Sequence, residues 1–327
     1  MSDRVTLVDV ARAAEVDVSL VSRILRGQQV KVRDETRTRI LDQAQRLGYR
    51  PHAIARSLKT AKAGAFGLVI PTFDNPVFAQ IIMGAEAAAA QLNCVMMTTS
   101  GEGWSRNNWL EALDGGRVDG LLIAGGPTLE PANLRVPYLL VNRAVSGIDR
   151  SVVLDDEKAS RMAVDHLVEL GHRRIVFVGG PAGADTANRR LAGFESARIR
   201  AGLESLGDPV SGNYTVAGGK LAMQRILASG MTFTGVVAAN LPSAVGALQA
   251  VQEAGLHVPE RVSIVAIHDA EIAEMVRPRL TTIQMPLTQL GARGIELLST
   301  IAPSAEVNEV VGQPMRLVLR DSTGTAP

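Results

Sequence analysis

With 327 residues, 46% of them hydrophobic and 20% charged, the chain can bury sizeable cores and is too apolar for wholesale disorder; the length suggests two or three compact units. The net charge of +1 hides an asymmetry, since residues 1–62 hold 13 Lys+Arg against 7 Asp+Glu while the remainder holds 21 against 26. A basic end on a mildly acidic body is the pattern of a chain that meets phosphates at one end. No window approaches the roughly 18 uncharged apolar residues of a membrane span, and charges interrupt the N-terminal stretch, so neither spanning nor export is expected.

Thr6 can cap a helix over Leu7–Ala14, whose apolar face is Leu7, Val10, Ala11 and Ala14. Asp17 can cap a second, Val18–Arg26, with Val21, Ile24 and Leu25 inward. Only Glu15, Val16 and the cap lie between them, which forces a sharp crossing at the small Ala11; a helix-turn-helix or a generic helical hairpin satisfies this spacing. The outward residues Val18, Ser19, Ser22, Arg23 and Arg26 suit the major groove of DNA. A third helix, Asp34–Leu47, has Ile40, Leu41, Ala44 and Leu47 inward and stops at Gly48. Its Arg37 and Arg39 suit either phosphate or a solvated face. Pro51 then fits the first position of a short helix that is marginal alone, so its folding is expected to couple to DNA binding.

Beyond Lys62 short apolar strands alternate with helices. The strands are expected at Phe66–Pro71, Cys94–Thr99, Gly120–Ala124, Tyr138–Asn142, Val152–Leu154, Arg174–Gly179, Asn213–Val216, Gly235–Asn240, Ser263–His268 and Thr281–Gln284. Helices are expected among them at Ala79–Leu92, Lys158–Leu170 and Ser243–Ala254. Such alternation means parallel, doubly wound sheets. GLVIP opens one strand series and IVFVGG a second, which predicts two similar lobes with a ligand cleft beyond the strands' carboxyl ends. The lone Cys94, in LNCVMMTT, is expected to pack in a buried strand, and one cysteine without export points to the cytoplasm.

Motifs for catalysis do not form. Gly179–Gly183 lacks the dinucleotide fingerprint, and Gly218-Gly219-Lys220 is followed by Leu221 where a phosphate loop needs a hydroxyl. The five histidines are scattered, so no enzyme activity, cofactor or metal is expected.

TLVDVARAAEVDVSLVSRILRG and TRTRILDQAQRLGYRPHAIARSLKT resemble the DNA-binding headpiece and hinge of the LacI family; IPTFDNPVFAQIIMGAE, RVDGLLIAG, DHLVELGHRRIVFVGGP, NRRLAGFESA and LTTIQMPLTQLG resemble its sensor. The resemblance covers essentially the whole chain. It implies a small all-α helix-turn-helix domain (1–50), a hinge (51–62) and an α/β sensor (63–327) of the two-lobed, doubly wound, periplasmic-binding-protein-like type I fold. The lobes would be about 63–156 with 286–313, and about 157–285 with 314–327. The function implied is a transcriptional repressor reading a pseudo-palindromic operator as a homodimer through sensor-lobe contacts, under control of a small, carbohydrate-like effector. DNA contacts would come from Thr6, Leu7, Val18, Ser19, Ser22, Arg23, Arg26, Tyr49, His52, Ala55, Leu58 and Lys59. Pro51, Ile54, Ala55 and Leu58 match the hinge pattern, and Leu58 would wedge into the minor groove.

Effector contacts carried over from the family are Asp74, Asn75, Phe78, Asn142, Arg190, Asn240, His268 and Asp269. Arg190 is expected at the cleft mouth, forking onto hydroxyls or a carboxylate. The chain departs from the family at Glu15, usually Gly, where helical backbone is expected, at Arg26, usually Asn, and in the loop Gly27–Val32. In the sensor, Leu241 follows Asn240 where Asp is usual, His268 replaces a common Asp, and few rings are available beyond Phe78, Trp104 and Trp109. Met315–Pro327 has no leucine heptads, so no tetramer-forming tail is expected. The alternative is a transport-type solute-binding protein, which would need a signal peptide and no basic headpiece.

Overall fold

A computed structural model describes residues 5–25, 28–49, 62–101, 113, 115–125, 134–302 and 305–327, which divide into two units, Met1–Ala63 and Gly64–Pro327. In the first, α1 (Leu7–Ala14), α2 (Val18–Leu25) and α3 (Asp34–Arg46) enclose a miniature core of Val10, Ala11, Ala14, Val21, Ile24, Ile40 and Ala44. Thr6 and Asp17 stand at the expected helix starts: the Asp9 carboxylate reaches back to accept from the Thr6 backbone N–H (2.9 Å) and hydroxyl (2.7 Å), and Asp17 caps α2 by accepting from the Ser19 N–H (2.7 Å). Leu41 and Leu47, expected inward, are 47% and 37% exposed. The bundle touches α3 along the Ile40–Ala44 stripe alone; Leu41 lies a further 100° round and Leu47 stands at the helix end. Arg37 donates to the Val30 carbonyl (3.0 Å), tying down the loop before α3.

Glu15 corrects the expectation of helical backbone. Its φ of 52° and ψ of 49° are left-handed. Val16 N–H donates to Ala11 O and Glu15 N–H to Arg12 O, and this pair of closing bonds requires a left-handed residue after the helix. Glycine adopts that conformation without the roughly 1 kcal/mol cost of a Cβ.

The second unit contains two six-stranded sheets. Strands β1 (Ala65–Ile70), β2 (Val95–Ser100), β3 (Leu121–Ile123), β4 (Tyr138–Val141), β5 (Arg150–Leu154) and β11 (Val307–Val311) form the first, in the order β11-β5-β4-β3-β1-β2 and all parallel. Strands β6 (Ile175–Gly179), β7 (Val210–Ser211), β8 (Gly235–Ala238), β9 (Ser263–Ile267), β10 (Thr281–Gln284) and β12 (Arg316–Val318) form the second, in the order β12-β10-β9-β8-β6-β7, with β12 antiparallel. Helices α4 (Pro76–Gln91) and α10 (Leu287–Thr300) pack together on the first sheet. Gly84 and Gly291 permit their approach: a Cβ on Gly84 would stand 1.9 Å from the Thr288 carbonyl oxygen, and one on Gly291 2.0 Å from that of Ile81. The second lobe has α5 (Asp156–Glu169), α6 (Asp185–Arg200), α7 (Val216–Ala228), α8 (Leu241–Glu253) and the short α9 (Ile272–Met275).

One strand expectation and one burial expectation fail. No strand covers Asn213–Val216: Asn213 and Tyr214 are left-handed (φ 49° and 59°), and Thr215 caps α7 by accepting from Gly218 N–H. The strand of that region is β7, a few residues earlier. Cys94 is half-buried and precedes β2, a sheet-edge strand whose Val95 and Met97 are 64% and 39% exposed.

His172 knots the second lobe. Its Nε2 lies 3.0 Å from the Gly324 carbonyl and must donate there, so Nδ1 accepts from the Thr234 hydroxyl at 2.9 Å. Burial holds this imidazole below its ordinary pKa, opposed by the Gly324 carbonyl. The unfolded chain then takes up the proton at higher pH than the native one, so this stability is complete above about pH 6.5 and lost as pH falls through the folded value.

Glu15→Val should lower stability of the first unit by about 1 kcal/mol while Glu15→Gly should not, as read by its thermal transition. Denaturation from pH 7.5 to pH 5 should show His172→Gln less stable than the parent at the higher pH, with the gap closing toward the lower; a constant gap would contradict the protonation account.

Candidate functional site

The first unit presents α2 as its DNA-facing candidate. Val18, Ser19 and Arg23 are exposed and Ser22 half-buried, all on one side, while Val21 and Ile24 hold the other in the core. Arg23 Nε rests 3.4 Å from the Ser19 carbonyl, a long bond that leaves most of the guanidinium's donors available. Hydrogen bonding from Ser19 keeps the Asp17 carboxyl below its ordinary range, so the helix begins with a charged cap. Thr6 is exposed, but its N–H and hydroxyl proton serve Asp9; Leu7 and Tyr49 are half-buried against the core. Arg26, His52, Ala55, Leu58 and Lys59 lie outside the described residues, as do Trp104 and Trp109.

Between the sheets of the second unit lies a cavity of about 800 Å³. It opens at the carboxyl ends of the strands, where Pro71 and Thr72 follow β1, Ala124 and Gly125 follow β3, Asn142 follows β4, Pro181 follows β6, and Asn240 and His268 follow β8 and β9. Four helices begin on its wall, with Asn75, Ala184, Thr215 and Asn240 at the N-caps of α4, α6, α7 and α8, so their positive dipole ends converge on it. A second cavity of about 220 Å³, between α6, α7 and β6 and lined by residues such as Phe177, Phe194 and Met231, is smaller and faces no such convergence.

Six of the eight sequence-predicted contacts line the larger cavity: Asn75, Phe78, Asn142, Arg190, Asn240 and His268. Asp74 does not, standing in the exposed turn before α4. Asp269 does not either, because it is held by Arg320 at 2.8 Å and by the Thr282 hydroxyl at 2.7 Å. Its carbonyl accepts instead from Gln80 of α4, joining the lobes at 2.7 Å. Asn240 lines the cavity with both ends of its amide engaged, accepting from Ser243 N–H and donating to the Tyr214 carbonyl.

Arg190 is not at the mouth but 2% exposed, embedded in the wall. Its Nε donates to Asp156 (2.7 Å), its Nη1 to the Ala239 carbonyl (2.6 Å) and its Nη2 to His268 Nε2 (3.0 Å); its guanidinium also lies 5.4 Å from the Tyr214 ring centre. Burial works against the charge, and Asp156 and Tyr214 outweigh it, so Arg190 stays firmly cationic. Arginine has no acceptor, so His268 Nε2 must accept and Nδ1 carries the proton. Burial first and Arg190 second push His268 far below its ordinary pKa, so it is neutral. Its Nδ1 and the Oδ1 of Asn142 are buried without a hydrogen-bond partner.

Four charged residues that patterning missed complete this wall. Asp156 is fully buried and also stands 2.9 Å from Arg189; Arg189 reaches Asp185 at 2.9 Å; and Asp185 accepts from the Ala144 N–H of the first lobe at 2.9 Å. Arg143 lines the cavity, half-buried, its pKa lowered by burial with Asp185 opposing. The available signal was position: Asp156 directly follows a strand and Asp185 opens a helix, the places where parallel sheets build sites. Asp156→Asn would leave the buried Arg190 without its carboxylate and the partly exposed Arg189 with Asp185 alone. It should cost about 3–5 kcal/mol in urea unfolding of the full chain, against under 1 kcal/mol for the exposed Asp74→Asn.

Comparison with known proteins adds an independent observation. Residues 6–52 match the family model described as bacterial regulatory proteins, lacI family, and residues 164–323 that of a periplasmic binding protein-like domain. The chain is 31% identical to the ribose operon repressor of Haemophilus influenzae over 97% of its own length and 98% of that protein's. Among solved structures it is similar to a lac repressor dimer bound to operator and the anti-inducer ONPF (TM-score 0.88, 27% identity, 98% of this chain and 100% of that one). It is also similar to a complex of the transcriptional regulator CelR with cellobiose (TM-score 0.72, 27% identity, 98% and 100%). These relatives are transcriptional regulators rather than enzymes, and no helix among the described residues is long and apolar enough to cross a membrane.

Proposed function

Because this chain belongs to the lacI family of bacterial regulatory proteins and is a DNA-binding transcriptional regulator, we propose that it is a cytoplasmic, non-enzymatic repressor whose operator affinity is set by a sugar or sugar derivative held between the two lobes. The observation that carries the effector half is the cavity of about 800 Å³ with its partnerless His268 Nδ1 and Asn142 Oδ1. Buried polar groups left unpaired cost about 1–3 kcal/mol each, a penalty that a hydroxylated ligand removes. Relatives named for ribose and solved with cellobiose support the same class of effector.

On the DNA side, Val18, Ser19, Ser22 and Arg23 of α2 enter the major groove, Val18 offering an apolar contact to thymine methyls and Arg23 a fork for guanine. The hinge residues His52, Ala55, Leu58 and Lys59, with Thr6, Leu7, Arg26 and Tyr49, complete the contact set by family resemblance. Two copies are required to read a pseudo-palindrome. A face for pairing is available on the first lobe, where Met83 and Leu92 at α4 and Val95 and Met97 on β2 are exposed. Effector and operator binding are then linked reciprocally, by roughly 1–3 kcal/mol where coupling is typical.

The test is retention of a palindromic fragment from beside the protein's own gene, titrated with salt and candidate sugars. Specific binding that falls steeply with salt and shifts with a cleft ligand supports the proposal; indifference to all DNA would favour a solute-binding protein. Arg23→Ala should weaken operator binding by about 1–3 kcal/mol and non-specific binding by less; equal losses would move Arg23 from base to phosphate contact.

A further inference from the structure

Three guanidiniums and two carboxylates form the charged part of the cleft wall and the layer behind it among the described residues: Arg143, Arg189 and Arg190 against Asp156 and Asp185. Both carboxylates are already engaged. Asp156 is shared by Arg189 and Arg190, and Asp185 by Arg189 and the Ala144 N–H. The cation left over is Arg143, half-buried in the cavity lining with no ion pair among the described residues.

The uncommitted hydrogen-bonding groups lean the same way. Asn75 uses its carbonyl oxygen to accept from Val77 N–H, which leaves its amide NH₂ to donate. Thr215 accepts from Gly218 N–H through its hydroxyl oxygen, which leaves the O–H to donate. His268 holds an N–H without a partner because Arg190 occupies its other nitrogen. Arg190 keeps N–H groups beyond its three bonds. Against these donors stand the partnerless acceptor Asn142 Oδ1 and the Asp185 carboxylate, whose Oδ2 is taken by Arg189 and the Ala144 N–H.

A neutral sugar presents a hydroxyl proton for every hydroxyl oxygen and needs acceptors in proportion. A wall in which the uncommitted donors outnumber the acceptors and one positive charge is left over is complementary to oxyanions instead. We infer that the cleft selects a polyhydroxy ligand carrying a carboxylate or a phosphate, with its anionic group toward Arg143 and Arg190 and its hydroxyls toward Asn142. This rests on the reading of the cleft as the effector site and narrows it from sugars to their acidic derivatives.

The experiment is calorimetric titration of the full chain at pH 7 and constant ionic strength with matched probes. D-gluconate and D-galacturonate form the carboxylate arm, D-glucose 6-phosphate the phosphate arm, and D-glucose, D-galactose and D-ribose the neutral arm, with sulfate as the bare-anion control. At least one acid should bind roughly 10-fold or more tightly than its neutral parent and than sulfate, and the arm it belongs to identifies the oxyanion. Arg143→Met should lower that affinity roughly 10- to 100-fold, and Arg143→Lys should restore part of it, which separates lost charge from misfolding.

Neutral sugars binding as tightly as their acids, or acid affinity unmoved by Arg143→Met, would overturn the inference. If a neutral sugar alone binds and shifts operator retention, only this inference fails and the proposed regulation stands. If no probe binds and none alters retention, the inference fails together with the sugar-effector reading.

Discussion

A guanidinium buried as deeply as that of Arg190 survives only if its charge is met inside the protein, and how it is met organises the sensor. Desolvating an ion costs several kcal/mol, recovered through short, well-directed bonds to Asp156, the Ala239 carbonyl and His268. Those partners sit at the head of α5, at the exit of β8 and at the exit of β9, so one side chain fixes three ends that border the cleft. The charge also dictates chemistry at a distance. By occupying His268 Nε2 it chooses the tautomer, and by its field it keeps that histidine from protonating. The groups that border the cavity are therefore held in place by the protein itself, which would reduce the ordering cost of binding a ligand there.

The lobes already touch across the mouth of this cleft. Ala144 N–H meets Asp185 on one side, and Gln80 meets the Asp269 carbonyl on another. Asp185 is held toward Ala144 by Arg189, whose second carboxylate is the same Asp156 that steadies Arg190. The contact between the lobes and the wall of the cavity thus draw on one connected set of charges. A ligand that perturbs Arg190 can be felt at the Asp185 bridge through the arginine between them, a physical route for coupling within the sensor.

Capping residues made the small unit legible: Thr6 and Asp17 mark helix starts without tertiary information, and the Ile40–Ala44 spacing marks a buried face. Alternating apolar runs located most strands of the sensor for the same reason, since fully buried parallel strands have no polar side. What stayed hidden depended on partners distant in sequence. Asp269 looked like a ligand contact until Arg320, some fifty residues later, claimed it. Asn240 looked like an effector contact, although both ends of its amide are used to start α8 and hold Tyr214. Glu15 hid its left-handed backbone because no local signal distinguishes a strained glutamate from a relaxed one. Asp156, Asp185, Arg189 and Arg143 were overlooked because ordinary charged residues acquire meaning only when the fold brings them to one wall.

The path of the chain between the sheets has a mechanical consequence. It passes from the first lobe to the second at 154–156, returns at 284–287, and leaves again at 311–316 to place β12 beside β10. Each lobe is thereby completed by a later segment that follows a stretch of the other, β11 closing the edge of the first sheet and β12 that of the second. Three connectors cross between the lobes, so a change in the angle between them has to be taken up in these short segments. Bending there would widen or narrow the cavity that Arg190 borders, with each sheet left intact.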